Sequence, residues 1–372
     1  MKKLRQILTL LFTTVILSTN LAYADPITKD QEFFDAVKEY IMQNYALEVT
    51  EDQLYDAAIK GMFDALDPYS TYMDEEEYKA FMEEATGEFA GIGAVVGKRD
   101  DGFYLVSINE GSPASKAGLK PMDVLISVND KAIDLKQDTE SLVKQIRGKA
   151  GTSVKLTVKR GNEVLTVNIV RAQIQINPIE YKTLEKDLGY IRITEFNNNT
   201  YANMTTAIQD LKKQGIKKVI LDLRGNPGGS LDQVLKVSNY FVPKGKLLEI
   251  QYKEDKPDVF YSTGNLQFEK VAVLIDGNTA SASEILAGAI QDTKSGTLIG
   301  TTTYGKGVVQ DLYPLKNGEA IKLTIAKYVL PSGRSINLKG LNPDKKVEYI
   351  TPTDNSNTDN QLNTAIEFIK QK

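Results

Sequence analysis

The spacing of hydrophobic and polar positions changes twice along the chain. Between residues 25 and 88 apolar positions such as Phe33, Val37 and Ile41 recur at helical spacing. From residue 89 to 172, short runs such as YLVSI, VLISV and VKLTV alternate apolar and polar positions, as half-buried strands do. Two helical patterns, SPASKAGL and TESLVKQIRG, lie among these runs. The sequence therefore predicts a helical N-terminal region and then a small, partly open β-barrel with two helices.

Beyond residue 188, almost continuously apolar runs alternate with helical patterns. The runs VILDL and VAVLI are typical of buried strands, and helices are predicted after both. Such alternation favours an α/β core with a buried parallel component. The fold class expected is thus mixed, with boundaries at 1–24 (leader), 25–88 (helical region), 89–172 (β-barrel), 173–350 (α/β core) and 351–372 (linker and last helix).

The first residues have the pattern of an export signal. A basic stretch, MKKLRQ, precedes twelve largely apolar residues and the small-x-small sequence AYA before Asp25. Twelve residues fall short of the ~20 that a spanning helix needs. We expect export to the periplasm, cell surface or medium. A retained leader that tethers the protein to a membrane is the alternative.

Composition removes several kinds of chemistry. The 372 residues include no histidine and no cysteine, and the net charge is −4. Without cysteine there is no thiol nucleophile, disulfide or thiolate zinc site. Without histidine the usual catalytic base and the commonest metal ligand are missing. We expect no metal, no other cofactor and no nucleic-acid partner, because the basic residues form no stripe.

The stretch NTASASEILAGAI places Ser281 between a predicted buried strand and a helix. Ligands of open α/β sheets bind at the carboxyl ends of strands. The start of a helix offers unpaired N–H groups to a developing oxyanion. Ser281 is therefore a candidate nucleophile. The spacing Ser281-x-x-Glu284 also matches a capping box, in which the serine only caps the helix. The two interpretations are compatible.

Lys306 lies between two glycines in GTTTYGKGVVQ. The start of this stretch matches a phosphate-binding loop, but Gly307 stands where the loop needs Ser or Thr, and a strand pattern follows instead of a helix. A nucleotide hydrolase is therefore disfavoured. A lysine can replace histidine as the base of a serine nucleophile, provided its pKa falls from ~10.4 to roughly 7–8. Gln310 could hold the neutral amine without adding charge. A solvated loop lysine is the alternative.

The stretch LDLRGNPGG covers the end of a predicted buried strand and the turn after it. It supplies candidate oxyanion donors and a charged pair. Its glycine amides could point into a cleft beside Ser281 and hold an oxyanion. Asp222 and Arg224 come at the end of the strand. They are interpreted either as part of the site or as a structural ion pair.

Taken together, NTASASEILAGAIQD, YGKGVVQ, LDLRGNPGG and LPSGRSI resemble the carboxyl-terminal processing proteases, also called tail-specific proteases. FAGIGAVV and VSINEGSPASKAGLKPMDVLISVN resemble their PDZ domain. ALDPYSTYMD is similar to their N-terminal region, where the family usually has histidine in place of Tyr69. NLKGLNPD departs from the family's glycine-rich run, which puts only the fit of the substrate in doubt.

This resemblance implies a serine endopeptidase that works through an acyl-enzyme. Ser281 would be the nucleophile, Lys306 the base and Gln310 its orienting partner. The Ala282 and Gly228 amides would form the oxyanion hole. A catalytically silent PDZ scaffold is the alternative, but both catalytic positions are intact.

The resemblance also implies how substrates are recognised. The loop formed by Gly91, Ile92, Gly93 and Ala94 would bind the free C-terminus of a protein or peptide, with Ile92 lining a pocket for the last side chain. Arg147, near the end of the longer PDZ helix, is a candidate for relaying occupancy to the protease domain. A homodimer formed through the N- and C-terminal helical regions, and a regulatory partner protein, are further expectations.

Overall fold

The computed structural model describes residues 29–254, 256–351 and 359–371. The predicted leader over residues 1–24 lies outside the described residues. The chain divides into two compact units, one ending at Leu66 and the other beginning at Asp67. Among the described residues, no helix combines the length and the apolar character that crossing a bilayer requires.

The first unit contains two helices, α1 (Gln31–Asn44) and α2 (Glu51–Asp64). Asp30 caps α1 by accepting the Phe33 N–H. A reciprocal capping box between Thr50 and Gln53 begins α2. Neither helix buries a residue. The predicted helices therefore form, and their apolar side chains stay accessible in this unit.

The second unit begins with strand β1 (Thr71–Met73) and helix α3 (Glu75–Thr86). Asp74 begins α3, because its carboxylate accepts the Glu77 N–H while the Glu77 carboxylate accepts the Asp74 N–H. The predicted helical region thus contains a short strand.

The PDZ-like part is built mainly from one sheet of six strands. Its core contains Phe103, Leu142 and Leu156, all fully buried. A separate pair, β2 with β9, lies where this part begins and ends. The elements are β2 (Glu88–Gly91), β3 (Ala94–Arg99), β4 (Gly102–Ile108), α4 (Pro113–Lys116), β5 (Val124–Val128), β6 (Lys131–Ala132), α5 (Thr139–Ile146), β7 (Ser153–Arg160), β8 (Glu163–Val170) and β9 (Ala172–Gln175).

A second six-stranded sheet forms the α/β core, in the order β10-β11-β12-β15-β16-β19. All its pairs are parallel except β10 with β11. The sheet is buried on both faces: Val219 and Val273 pack with α6, α7 and α8, whereas Ile220 and Leu274 pack with α9. The strands are β10 (Ile179–Glu185), β11 (Leu188–Ile193), β12 (Lys218–Asp222), β15 (Lys270–Ile275), β16 (Thr297–Gly300) and β19 (Lys345–Lys346). The helices are α6 (Thr200–Lys213), α7 (Leu231–Ser238), α8 (Ala282–Asp292) and α9 (Asn360–Lys370).

A third sheet, of which the sequence analysis predicted only the strand after Lys306, completes the second unit. Its order is β1-β18-β13-β14, with β17 also paired to β18. The bounds are β13 (Gly245–Tyr252), β14 (Asp258–Ser262), β17 (Val308–Pro314) and β18 (Ala320–Val329). Because β17 begins two residues after Lys306, this sheet fixes one side of the candidate site.

Candidate active site

Ser281 lies where the turn after β15 enters α8, as the sequence predicts. Its φ of 56° and ψ of −118° are rare for a residue with a side chain. Strained backbone of this kind persists only where the surroundings hold it, and it is concentrated at functional sites. Ser281 is half-buried and lines a cleft of about 800 Å³.

Glu284, one turn into α8, ties the candidate nucleophile to the candidate base. Its fully buried carboxylate accepts the Ser281 N–H at 2.9 Å and the Lys306 N–H at 3.0 Å. The Gly305 N–H, at 2.8 Å, and the Thr303 hydroxyl also donate to it. The sequence analysis saw only the capping part of this role. The carboxylate holds two distant segments of backbone together.

Tyr328 makes a second connection between the same segments. Its buried hydroxyl donates to the Lys306 carbonyl at 2.8 Å and lies 3.4 Å from the Ser281 carbonyl. Glu284 therefore holds the N–H groups of Ser281 and Lys306, and Tyr328 holds their carbonyl groups.

The Lys306 side chain is half-buried and lines the same cleft as Ser281. Burial, together with the positive charge of Lys322, lowers its pKa below that of free lysine, while Asp67 and Glu284 act in the opposite direction. The lowered pKa makes the neutral amine more accessible near neutral pH, which a lysine base requires.

The two glycines beside Lys306 allow another backbone segment to pack closely against this loop. A Cβ on Gly305 would lie 2.8 Å from the Gly340 nitrogen, and one on Gly307 would lie 2.6 Å from the Asn337 nitrogen. The segment that departs from the family pattern therefore packs directly against the Lys306 loop.

Gln310 lies on β17 and lines the cleft with Lys306. A register irregularity next to it places it opposite Thr324 of β18. Its amide donates to the Thr324 hydroxyl at 3.1 Å, and that hydroxyl donates to Asp67 at 3.2 Å. Asp67 and Thr324 had no predicted role.

Gly228 and Ala282 meet at Ser281. A Cβ on Gly228, whose φ is 105°, would lie 2.7 Å from the Ser281 Cβ and 2.9 Å from the Ala282 nitrogen. Ala282 is the first residue of α8, so its N–H lacks an intrahelical acceptor. The Gly228 N–H donates to the Asn226 side chain at 2.9 Å. The predicted oxyanion role of Gly228 therefore requires that this hydrogen bond be exchanged for one to the substrate.

Asp222 and Arg224 form a structural ion pair, one of the two interpretations left open. The guanidinium donates to Asp222 and to Asp359, at 2.6 and 2.7 Å, and Tyr190 donates to Asp222 at 2.8 Å. Asp359 is the cap of α9. The pair therefore anchors the last helix to the end of β12.

The predicted tail-binding loop lies directly before β3. Gly91, Ile92 and Gly93 are buried, and Gly93 adopts a φ of 73°. Ile92 is 3% exposed and packs in the PDZ core. Gly91 ends β2, the chain bends at Gly93, and in this state the Ile92 side chain is part of the core rather than of an open pocket. Ala94 begins the strand itself.

Arg147 follows the last residue of α5 and is exposed. Its guanidinium lies 3.2 Å from the Glu83 carboxylate of α3 and 4.7 Å from the centre of the Phe89 ring. Glu83 neighbours Met82, which lines the cleft with Ser281. Arg147 thus connects the PDZ helix to an element of the cleft wall.

Apolar side chains make up much of that wall. The structure brings together Phe81, Met82, Ala85, Leu231, Ile285 and Val308. The sequence analysis did not predict that α3 takes part, although the helical spacing of its apolar positions was visible.

Comparison with known families identifies each part of the chain. A family described as peptidase family S41 matches residues 187–347, a PDZ domain matches residues 90–170, and the activating protease CtpB N-terminal domain matches residues 18–77. These matches agree with the three kinds of region predicted from the sequence.

Individual relatives agree. The carboxy-terminal processing protease CtpA of Bacillus subtilis is 41% identical over 86% of this chain and 70% of its own length. A probable CtpA-like serine protease of Staphylococcus aureus is 39% identical over 84% of this chain and 64% of its own. The solved photosystem II D1 C-terminal processing protease is 27% identical with a TM-score of 0.52, covering 92% of both chains. A putative S41 protease from Bacteroides fragilis, 18% identical with a TM-score of 0.54 over 94% of this chain and 98% of its own, shares the fold.

Proposed function

Because the chain belongs to the carboxy-terminal processing serine proteases of peptidase family S41, we propose that it cleaves proteins with a Ser281–Lys306 pair. The observation that carries the proposal is the buried Glu284 carboxylate, which accepts the backbone N–H of both residues. No other described side chain joins the two N–H groups.

In the proposed reaction, the Ser281 hydroxyl attacks the scissile carbonyl while the neutral Lys306 amine takes its proton. The tetrahedral oxyanion is held by the N–H groups of Ala282 and Gly228. For this, the Gly228 N–H exchanges its hydrogen bond to the Asn226 side chain for one to the oxyanion. The C–N bond then breaks, and the Lys306 ammonium protonates the leaving amine. Water, deprotonated by the same amine, hydrolyses the acyl-enzyme. Gln310 orients the amine as its neutral partner.

The lowered pKa of Lys306 supports the role of base. Among the ion pairs of the described part of the chain, none involves Lys306, so no carboxylate is bonded to the ammonium. Arginine could not replace it, because a guanidinium stays protonated.

We propose that the PDZ domain selects substrates by their free C-terminus. The buried turn of Gly91, Ile92 and Gly93 before Ala94 would present backbone N–H groups to the terminal carboxylate. Opening of this turn would move the Ile92 side chain out of the core. Arg147 would report that change to α3.

Export and assembly are also proposed. Cleavage of the leader before Asp25 would release the mature protein outside the cytoplasm, and N-terminal sequencing of the exported protein tests this. The accessible apolar residues of α1 and α2, including Phe33 and Val37, support a homodimer. A monomeric mass in solution would argue against it.

Two neighbouring serines provide a matched test of the nucleophile. Ser281→Ala should abolish cleavage of a protein substrate, whereas Ser283→Ala should retain it. Ser283 is fully buried and its hydroxyl donates to the Asn226 carbonyl, which is a structural contact. Loss of the Ser281 cap, or of the one buried hydrogen bond of Ser283, costs only ~1 kcal/mol, so both variants should fold. Full activity in Ser281→Ala would refute the proposed function.

A further inference from the structure

Tyr69 reaches the proposed base from a segment outside the S41 match. Asp67 builds a turn in which its carboxylate accepts the Tyr69 N–H at 2.9 Å and the Ser70 N–H at 3.0 Å. The Ser70 hydroxyl also donates to Asp67 at 2.8 Å. Three hydrogen bonds from consecutive residues thus fix where the Tyr69 side chain leaves the backbone.

The turn is attached to the sheet that carries Gln310. The Thr324 N–H donates to the Ser70 hydroxyl at 3.0 Å, and Thr71 pairs with Lys322 on β18. The Thr324 hydroxyl bridges Gln310 and Asp67. The position of Tyr69 is therefore set by the same strand that orients Gln310.

The Tyr69 ring lies against the amine of Lys306, with Nζ 4.7 Å from the ring centre. The ring is half-buried. Burial and a hydrogen bond with Tyr304 raise the pKa of Tyr69 to about 12, so the phenol is neutral at the pH at which a lysine base works. Tyr69 is therefore not a competing base.

An aromatic ring in this place has two opposite effects on the amine. It excludes water from one side, which disfavours the ammonium. Its face also attracts a cation, which favours the ammonium and limits where Nζ can lie. The other titratable or charged groups that act on Lys306 or on the Tyr69 phenol are Asp67, Glu284, Tyr304 and Lys322. Among these groups, Tyr69 is the one whose aromatic ring lies over the Lys306 amine.

We propose that Tyr69 is a positioning residue, which shields the Lys306 amine from water and confines Nζ to the cleft. The proposal rests on the proposed role of Lys306 as the base.

Three substitutions separate the two effects of the ring. Tyr69→Phe keeps the ring and removes only the Tyr304 bond, so the pH dependence of kcat/KM should match that of the wild type. Tyr69→Leu still covers the amine but lacks the aromatic face, and its midpoint should stay in place or move to lower pH. Tyr69→Ala admits water, so its midpoint should move to higher pH. Each unit of that shift lowers the neutral fraction about tenfold, and activity returns at higher pH.

The midpoint does not depend on the amount of folded enzyme, so a less stable variant still gives a valid result. A wild-type midpoint in Tyr69→Ala would overturn the proposal. An equal upward shift in Tyr69→Leu would do the same, because leucine still covers the amine. Lys306→Arg is measured in parallel. If it is inactive, an unchanged Tyr69→Ala midpoint refutes only the role of Tyr69, whereas an active Lys306→Arg refutes the base itself.

Discussion

The protease core and the PDZ domain hold their candidate functional residues in opposite ways. In the core, the backbones of Ser281 and Lys306 are joined by buried hydrogen bonds to Glu284 and Tyr328. In the PDZ domain, Arg147 contacts α3 through one ion pair whose guanidinium and carboxylate are 46% and 25% exposed. An exposed ion pair contributes about 0–1 kcal/mol.

This difference matches two kinds of work. Chemistry needs groups that do not move, and buried carboxylate hydrogen bonds supply that rigidity. Sensing needs contacts that a ligand can change, and a ligand shifts an equilibrium only by the difference in its affinity for two states. Under the proposed function, a contact as weak as that of Arg147 is one that binding of a substrate tail would be able to switch.

The largest effect should come from the core. Glu284→Gln replaces an acceptor oxygen by a donor, so two of the four groups bonded to the carboxylate lose their partner. We expect kcat to fall about a hundredfold, the loss typical of a displacement near 1 Å, with KM little changed. Stability should fall by about 1–3 kcal/mol. Thr303→Val removes one donor to Glu284 and also the acceptor of the Leu341 N–H, and its effect on kcat should be milder. Wild-type kcat in Glu284→Gln would show that the carboxylate does not set the geometry.

A smaller effect is expected when the PDZ ligand is altered. Two substrates that differ only in a free or an amidated C-terminus should be cleaved at different rates, because amidation removes the charge that the Gly91–Ala94 turn would hold. Coupling between sites is typically about 5–150-fold, and we expect the difference within that range. Steady-state kcat/KM for both substrates measures it. Equal values would leave the PDZ domain without a role in sensing the tail.

The smallest effect concerns the relay. Arg147→Ala should reduce the preference for the free tail by up to about fivefold, in line with the value of an exposed ion pair. Lys144→Ala is the matched control, because Lys144 lies on the same helix and its ion pair, among the described residues, is with Glu140 of that helix. A preference that is equally reduced in both variants would indicate a general effect on α5 rather than a relay.

Much of the fold follows from local pattern. VILDL and VAVLI are apolar on both faces, and the structure buries both, against α6–α8 on one side and α9 on the other. The third sheet was missed because its strands do not show this signal. Alternate positions of β18, such as Lys322 and Thr324, face the cleft and the turn of Asp67. Its polar positions reflect the site rather than solvent.

The candidate site was predictable only in part. Motif spacing identified Ser281 because it lies between a predicted strand and a helix. It identified Lys306 because that residue lies between two glycines before a predicted strand. Glu284 was visible only as a cap, since its bonds to Gly305 and Lys306 span twenty-one and twenty-two residues of sequence. Contacts of such separation leave no periodic trace.

The pH dependence of cleavage tests the central claim most directly. In the proposed mechanism Ser281 is activated only when the Lys306 amine is neutral, and burial lowers the pKa of that amine. Wild-type kcat/KM should therefore rise with pH through one midpoint below the pKa of free lysine, and Lys306→Arg should be inactive throughout. A profile that is flat across this range, or substantial activity in Lys306→Arg, would contradict the account.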